Sequence, residues 1–426
     1  MRDEKNRDLA KISAGRTMEI MLLVQKFGGS SVATMDHIER VAAKVQSVCQ
    51  RGDAVVVVVS AMGDSTDALV SMAKTANPDL PGREMDALLA TGEIQTTALL
   101  AMTLCRLGLM ARSFTGRDAG ITTDHHHRRA HILSVDPIRL RQALDEGIIP
   151  VVAGFQGVDD QGNVTTLGRG GSDLTAIALA GALKADRCEI FSDVAGVFTA
   201  DPRVVPDAVP IDHLSYDEMV ELASQGAQVL QTRAVEYARE NRVVIHARST
   251  FHDAEGTRIV DKNLDNPSVT AVAMAKNIAK IGLVGVPDAP GVAAHLFSRL
   301  SERSIDVDLV IQSLSHEKLN DIAFTVSTED LFQAERIARE ALVELKGQGL
   351  VVDQMVAKIA AVGSGMLGRP GVAARFFQAL AEADVNIQMI GTSEIKISCI
   401  VSRQDAERAL GALHQAFGLA AVHSDE

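Results

Sequence analysis

Three glycine-rich segments hold the residues best placed for chemistry. The first is Lys26-Phe27-Gly28-Gly29-Ser30-Ser31. Glycines let a backbone approach a phosphate closely, and exposed N–H groups at a helix start favour an anion. Lys26 adds a full positive charge at the same place. The lysine precedes the glycines, so this is not a Walker A motif. The segment fits either a phosphate cradle or an ordinary strand-to-helix turn. The second is Thr165-Thr166-Leu167-Gly168-Arg169-Gly170-Gly171-Ser172-Asp173, which runs straight into an apolar helix at 174–183. Ser172 or Asp173 is expected to cap that helix, and glycines around an arginine at a helix start suit an anion site with a cation attached. The third runs from Phe191 to Arg203. There Asp193 suits a ribose hydroxyl or a base and Arg203 a phosphate, and the same residues also fit a solvated loop.

The elements that must position these groups alternate. Residues 21–26, 54–60, 147–153 and 187–191 read as strands, and AVVVVVS at 54–60 is a β-branched run of the kind buried on both sheet faces. Helical patterns lie at 36–50, 88–107 and 174–183. Alternation of this sort predicts an α/β domain with a mainly parallel sheet between helix layers. Ligands bind such sheets at the carboxyl ends of the strands, where the glycine turns fall.

After about residue 265 the pattern changes. Ile281 to Ser313 and Ile359 to Ser393 match at an offset of about 80, with Pro290-Gly291-Val292-Ala293-Ala294 returning as Pro370-Gly371-Val372-Ala373-Ala374. Each copy reads strand, Pro-Gly turn, amphipathic helix, strand, so a small α+β unit is duplicated. The expected organisation is an N-terminal extension over 1–20, with Met21 an alternative start, then domains at 21–262, 278–350 and 357–426.

With 426 residues the chain is too long for one ordinary core. Its 55 acidic and 42 basic residues give a net charge of −13, which argues against nonspecific binding to nucleic acid or anionic membrane. Absent tryptophan and 3% aromatics disfavour a base-stacking platform. Cys49, Cys105, Cys188 and Cys399 form no CxxC pair and fit free thiols in a reducing compartment. No apolar run approaches the roughly 20 residues needed to span a membrane, and no signal-peptide core is evident. The expectation is cytoplasmic. His125-His126-His127 has no carboxylate or cysteine partner at useful spacing, and reads as a solvated loop near the substrate mouth rather than a metal site.

Taken together, KFGGSS at 26–31, SAMGDSTD at 60–67, TGE at 91–93, FTGRDAGITT at 114–123, AGFQGVD at 153–159, TTLGRGGSD at 165–173 and FSDVAGVFTADPRVV at 191–205 resemble the aspartokinases, of the wider amino-acid kinase family. The repeated C-terminal units look like that family's paired, ferredoxin-like ACT domains. The resemblance covers nearly the whole chain from residue 21. It implies ATP-dependent phosphorylation of the side-chain carboxylate of L-aspartate, with Mg2+. By the same resemblance Lys26 sits at the transferring phosphoryl group and Asp173 orients it. Glu93, Arg169, Ser172 and Ser60 hold aspartate. Gly28, Gly29, Ser30, Ser192, Asp193, Phe198, Arg203 and Gln228 lie on the nucleotide side. Lysine, threonine or both are implied as effectors, with Asp288, Gln312, Asn386, Ile387, Ser393 and Glu394 as contacts or, equally, as turn caps and strand ends. A homo-oligomer through the ACT domains is also implied.

Three positions depart from the usual pattern: Ile94, Ala195 and Gln228. At the position of Gln228 most members carry a lysine near the ATP phosphates. Competing readings are a carboxylate kinase of a specialised pathway and a catalytically weak paralogue that senses amino acids. Glutamate 5-kinase and UMP kinase fit less well, because they lack the paired ACT units.

Overall fold

The computed structural model describes residues 20–77, 82–226, 229–262, 267–313 and 318–420. Most of the N-terminal extension and Gln228 lie outside the described residues. The chain forms two compact units. One holds the described residues up to Asp193 together with Val243–Ile245, and the other holds the remainder.

In the first unit the strands are β1 (Leu22–Phe27), β2 (Ala54–Val59), β3 (Ala111–Phe114), β4 (Ile121–Thr123), β5 (Ile132–Val135), β6 (Ile149–Ala153), β7 (Gln156–Val158), β8 (Val164–Thr166) and β9 (Arg187–Ser192). The helices are α1 (Met35–Gln50), α2 (Ser65–Ala76), α3 (Gly82–Arg106), α4 (Ile138–Asp145) and α5 (Gly171–Leu183). Five strands run in the order β9-β1-β2-β6-β3, and every neighbouring pair is parallel. A smaller sheet runs β5-β4-β7-β8.

Side chains alternate across β1. Leu23 and Phe27 enter a core with Ile38, Val41 and Val45 of α1 and Leu100 and Leu104 of α3. Each such buried side chain contributes about 1.5–3 kcal/mol. Val24 and Lys26 share the opposite face of the strand. The five valines of β2 are all buried, as a central parallel strand requires. Helix α3 begins well before the expected residue 88. It is also the one described helix apolar and long enough to cross a membrane by length and composition, although charged and polar residues interrupt its apolar sequence. More than half of that apolar stretch is buried within the protein, and its inner stripe (Met85, Leu89, Leu100, Leu104) includes Asp86 and Glu93.

The second unit contains β10 (His213–Ser215), α6 (Tyr216–Ser224), α7 (Thr232–Asn241), most of β11 (Ile245–Ser249), β12 (Thr257–Val260) and β13 (Ala271–Ala275). The repeat follows. Its first copy is β14 (Ile278–Pro287), α8 (Val292–Ser301), β15 (Val310–Gln312), β16 (Leu319–Ser327), α9 (Leu331–Glu344) and β17 (Gly349–Asp353). Its second copy is β18 (Val356–Val362), α10 (Val372–Glu382), β19 (Ile387–Thr392), β20 (Lys396–Ser402) and α11 (Ala406–Ala416). Both copies start their first helix at the repeated Pro-Gly turn, with Gly291 and Gly371 at φ of 95° and 100°.

The sheets run β15-β16-β14-β17 and β19-β20-β18-β13. The two orders superpose, with one exchange: the position filled by β17 in the first sheet is filled in the second by β13. Strand β13 precedes both copies in the chain and pairs antiparallel with β18. The first α+β domain is therefore inserted into the second, an arrangement that a simple tandem of 278–350 and 357–426 does not anticipate. A fully buried β18 needs a partner on each side, and β13 supplies one.

Candidate active site

The carboxyl ends of β9, β1, β2 and β6 are laced together by backbone hydrogen bonds. Gly28 N–H donates to the Phe191 carbonyl at 3.1 Å, Ser60 N–H to Phe27 at 3.1 Å, and Gly154 N–H to Val59 at 3.0 Å. The turns after β1 and β2 also touch, through Gly63 N–H on the Gly29 carbonyl at 3.1 Å. A Cβ on Gly29 would stand 3.1 Å from the Ala61 carbonyl oxygen, so close approach requires glycine there. No side chain caps the short 3-10 helix Gly29–Val32. Ser30 at its start is exposed.

Lys26 Nζ lies 2.5 Å from Asp173 Oδ1, and both side chains are about nine-tenths buried. Asp173 sits in the first turn of α5. The helix starts at Gly171, with Gly170 at the cap position and no side-chain cap. The expected capping by Ser172 or Asp173 is thus not made: both residues lie inside the first turn, and Asp173 is taken by Lys26. Carbonyls of the glycine turn take two of the first amides of α5 instead, Gly171 N–H donating to Gly168 at 2.9 Å and Asp173 N–H to Gly170 at 3.0 Å. Gly168 and Gly170 flank Arg169 at φ of 79° and 70°, the left-handed region that glycine adopts without strain, and Arg169 is exposed between them. Ser172 packs under Gly154, where a Cβ would fall 2.7 Å from its Cβ and Oγ.

Glu93 is buried on α3 and accepts the Ala61 N–H through Oε1 at 3.1 Å. Its Oε2 is buried without a hydrogen-bond partner among the described residues. Burial raises its pKa from the ordinary 4.5 to about 7, and the Ala61 N–H opposes that rise.

Ser192 ends β9 and Asp193 is exposed just beyond it. Phe198 and Arg203 belong to the second unit. Phe198 bridges to Pro210. Arg203 grips Asp201 with both Nε (2.9 Å) and Nη2 (2.7 Å), so its fork is already engaged.

Of the effector candidates, Asp288 accepts a hydrogen bond from the Asn320 amide at 2.9 Å. Gln312 is exposed at the end of edge strand β15. Asn386, Ser393 and Glu394 are exposed around edge strand β19, with Ile387 half-buried at its start.

Several organising residues escaped sequence reasoning. Buried Asp86 accepts from the Thr166 hydroxyl (2.6 Å) and the Arg128 N–H (3.0 Å), and pairs with His127 Nδ1 (2.8 Å). Glu218 of α6 accepts from the Thr270 hydroxyl (2.6 Å) and the Ser364 N–H (3.0 Å). Lys358 is buried in β18 against Asp308 and reaches the Ser224 carbonyl at 3.4 Å. The available signal was a charge on an otherwise apolar stripe, as with Asp86 on α3. The histidine loop also differs from expectation. Asp124, the residue beside it, folds back so that its carboxylate meets both His126 and His131.

Comparison with known proteins bears on this assembly. Residues 21–248 match the amino acid kinase family, and residues 283–342 and 359–417 each match an ACT domain. The chain is 47% identical over 405 residues to an aspartokinase of Mycolicibacterium smegmatis, covering 93% of this chain and 96% of that one. It belongs to the aspartokinases of the amino acid kinase family. Two solved structures of an aspartokinase, E. coli aspartokinase III, are similar at 28% identity. One is in complex with aspartate and ADP (R-state), with a TM-score of 0.80 over 93% of this chain and 99% of that one. The other is in complex with lysine and aspartate (T-state), with a TM-score of 0.73 and the same coverage. Within the aspartokinase fold, the mainly parallel sheet and the two regulatory-type domains expected from the sequence are both present.

Proposed function

We propose that this chain transfers the γ-phosphoryl group of ATP to the side-chain carboxylate of L-aspartate, giving 4-phospho-L-aspartate and ADP. The observation that carries the reading is the buried Lys26–Asp173 pair at 2.5 Å, set where the glycine turns and the first turn of α5 meet at one end of the sheet.

A side-chain carboxylate with a pKa near ~4 is ionised at neutral pH, so no general base is needed. The difficulty is bringing one anion to another, and catalysis is positioning and charge neutralisation. Lys26 balances charge on the moving phosphoryl group, and Asp173 holds its ammonium in place. Gly28, Gly29 and Ser30 cradle the phosphates, with Ser192, Asp193, Phe198, Arg203 and Gln228 on the nucleotide side. Arg169 takes a carboxylate of aspartate with help from Ser172 and Ser60. Glu93 takes the ammonium group, which would give its unpartnered buried oxygen a donor. Mg2+ is held in such sites largely by phosphates with one or two carboxylates. The exposed carboxylate of Asp193 at the end of β9 fits that donor class, and the ion would supply further neutralisation of phosphate charge.

Lysine, threonine or both are proposed to inhibit by binding the repeated domains near Asp288, Gln312, Asn386, Ile387, Ser393 and Glu394. The support is that Gln312 lies on edge strand β15, that Asn386, Ile387, Ser393 and Glu394 lie on or beside edge strand β19, and that Asp288 lies in the first Pro-Gly turn. A cytoplasmic homo-oligomer paired through those domains completes the reading.

The test is ADP release from MgATP with a panel of amino acids, with hydroxylamine added to trap the acyl phosphate. ADP release that needs L-aspartate, together with an aspartyl hydroxamate, is the expected result. A rate unchanged when aspartate is withheld would sink the substrate assignment.

A further inference from the structure

The turn between β4 and β5 is held rigidly. Asp124 N–H donates to the His131 carbonyl at 3.1 Å, and the Asp124 Oδ1 accepts the backbone N–H groups of His126 (3.2 Å) and His131 (3.0 Å). Its middle is pinned to the body of the unit. Arg128 N–H donates to buried Asp86, and Ala130 N–H donates to the Thr166 carbonyl at 2.9 Å. The backbone thus fixes where three side chains emerge. His126 Nδ1 lies 3.0 Å and His131 Nδ1 2.9 Å from the same Asp124 oxygen, Oδ2. All three ligand atoms fall within 4.8 Å of one another.

We infer that Asp124, His126 and His131 form a surface site for a divalent transition-metal cation of the Zn2+ class. Ligand atoms around tetrahedral Zn2+, at bond lengths of about 2.1 Å, stand about 3.4 Å apart. The observed nitrogen–oxygen separations need widen by only a few tenths of an ångström. The exposed rings of His126 and His131 supply that movement by rotating, because neither ring is packed in a core. Two imidazole nitrogens and one carboxylate oxygen are a donor set for Zn2+, Ni2+ or Co2+, whereas Mg2+ favours oxygen donors. Three protein ligands leave the fourth position to water. The three ligands are not among the residues proposed for phosphoryl transfer, although their turn packs through Arg128 and Arg129 on Gly168, beside Arg169.

The test uses the full chain, free of any affinity tag and stripped with EDTA. It is dialysed against micromolar ZnCl2 in the presence of millimolar MgCl2, and bound zinc is measured by atomic emission. One equivalent is expected for the unaltered chain. Asp124→Asn and His126→Ala are each expected to weaken binding by at least about tenfold. His126 is exposed, so its replacement leaves the fold intact and keeps the comparison meaningful if Asp124→Asn perturbs the turn. No zinc bound at micromolar concentration would overturn the site. So would binding by both variants equal to that of the unaltered chain, which would place the cation elsewhere, for instance on exposed Cys105. Displacement by Mg2+ would overturn the assigned cation class.

Discussion

Lys26 and Asp173 meet at 2.5 Å although one closes a strand and the other opens a helix far along the chain. The contact exists because Lys26 points to the face of β1 opposite the Leu23–Phe27 core, and α5 packs on that face. The pair is buried deeply enough that neither charge is well served by water, so each depends on the other until an anion arrives.

Removing either charge should therefore be costly for turnover. Lys26→Met is expected to lower kcat by about 10²–10³-fold, in the range found when one preorganised donor is deleted. Asp173→Asn leaves the ammonium buried without its counter-charge and should lower both kcat and stability. Steady-state ADP release and urea unfolding measure the two effects.

Glu93 makes a pH prediction. Its folded pKa of about 7 lies above the ordinary 4.5, mainly through burial. Between those values the folded state holds more protons than the unfolded state, so stability falls as pH rises through that window and levels off above about pH 7. The full effect is on the order of 3 kcal/mol. Glu93→Gln should flatten the curve of unfolding free energy against pH between 5 and 7. If Glu93 binds the ammonium of aspartate as a carboxylate, KM for aspartate should fall as pH rises toward 8, and this trend should vanish in the variant.

Gly154→Ala puts a methyl group 2.7 Å from Ser172 Cβ and Oγ. Ser172 must shift, at a cost of about 1–3 kcal/mol. KM for aspartate is expected to rise more than KM for ATP, since the nucleotide turns are untouched. Parallel kinetics on both substrates would show it.

Lys358 and Asp308 form an unequal pair, the lysine almost fully buried and the aspartate side chain about two-fifths exposed. Burial holds the Lys358 pKa below its ordinary value despite the Asp308 charge. Lys358→Met lets Asp308 return to water and should be nearly neutral for stability. Asp308→Asn strands the buried ammonium and should cost more, by a margin on the order of 1–2 kcal/mol once exposure is allowed for. Thermal unfolding of the two variants compares them directly.

By the resemblance drawn from the sequence, Gln228 takes a position where aspartokinases usually carry lysine. On the proposed nucleotide-side role of this position, Gln228→Lys adds a cation there and is expected to raise kcat/KM for ATP severalfold. A fall would mean that this chain has re-optimised the position around a neutral amide.

Local signals in the chain determined much of this molecule. The β-branched run 54–59, the glycine turns after it and after Phe27, and the Pro-Gly repeat each report their own structure, because side-chain alternation, helix periodicity and turn chemistry act over a few residues. The number and order of motifs carried the family. Tertiary structure decided what depends on distant partners. It kept Asp173, which local sequence also suited to a helix cap, for the contact with Lys26 that only the resemblance had implied. It engaged Arg203 with Asp201. It buried Asp86 as an anchor for the histidine turn, and folded Asp124 back onto two imidazoles. It also drew β13 across the insertion to complete the second regulatory sheet. The reason is common to all of these. Pairing energies and desolvation are set by which groups meet in space, and a strand edge or a buried charge accepts whichever partner the packing brings to it.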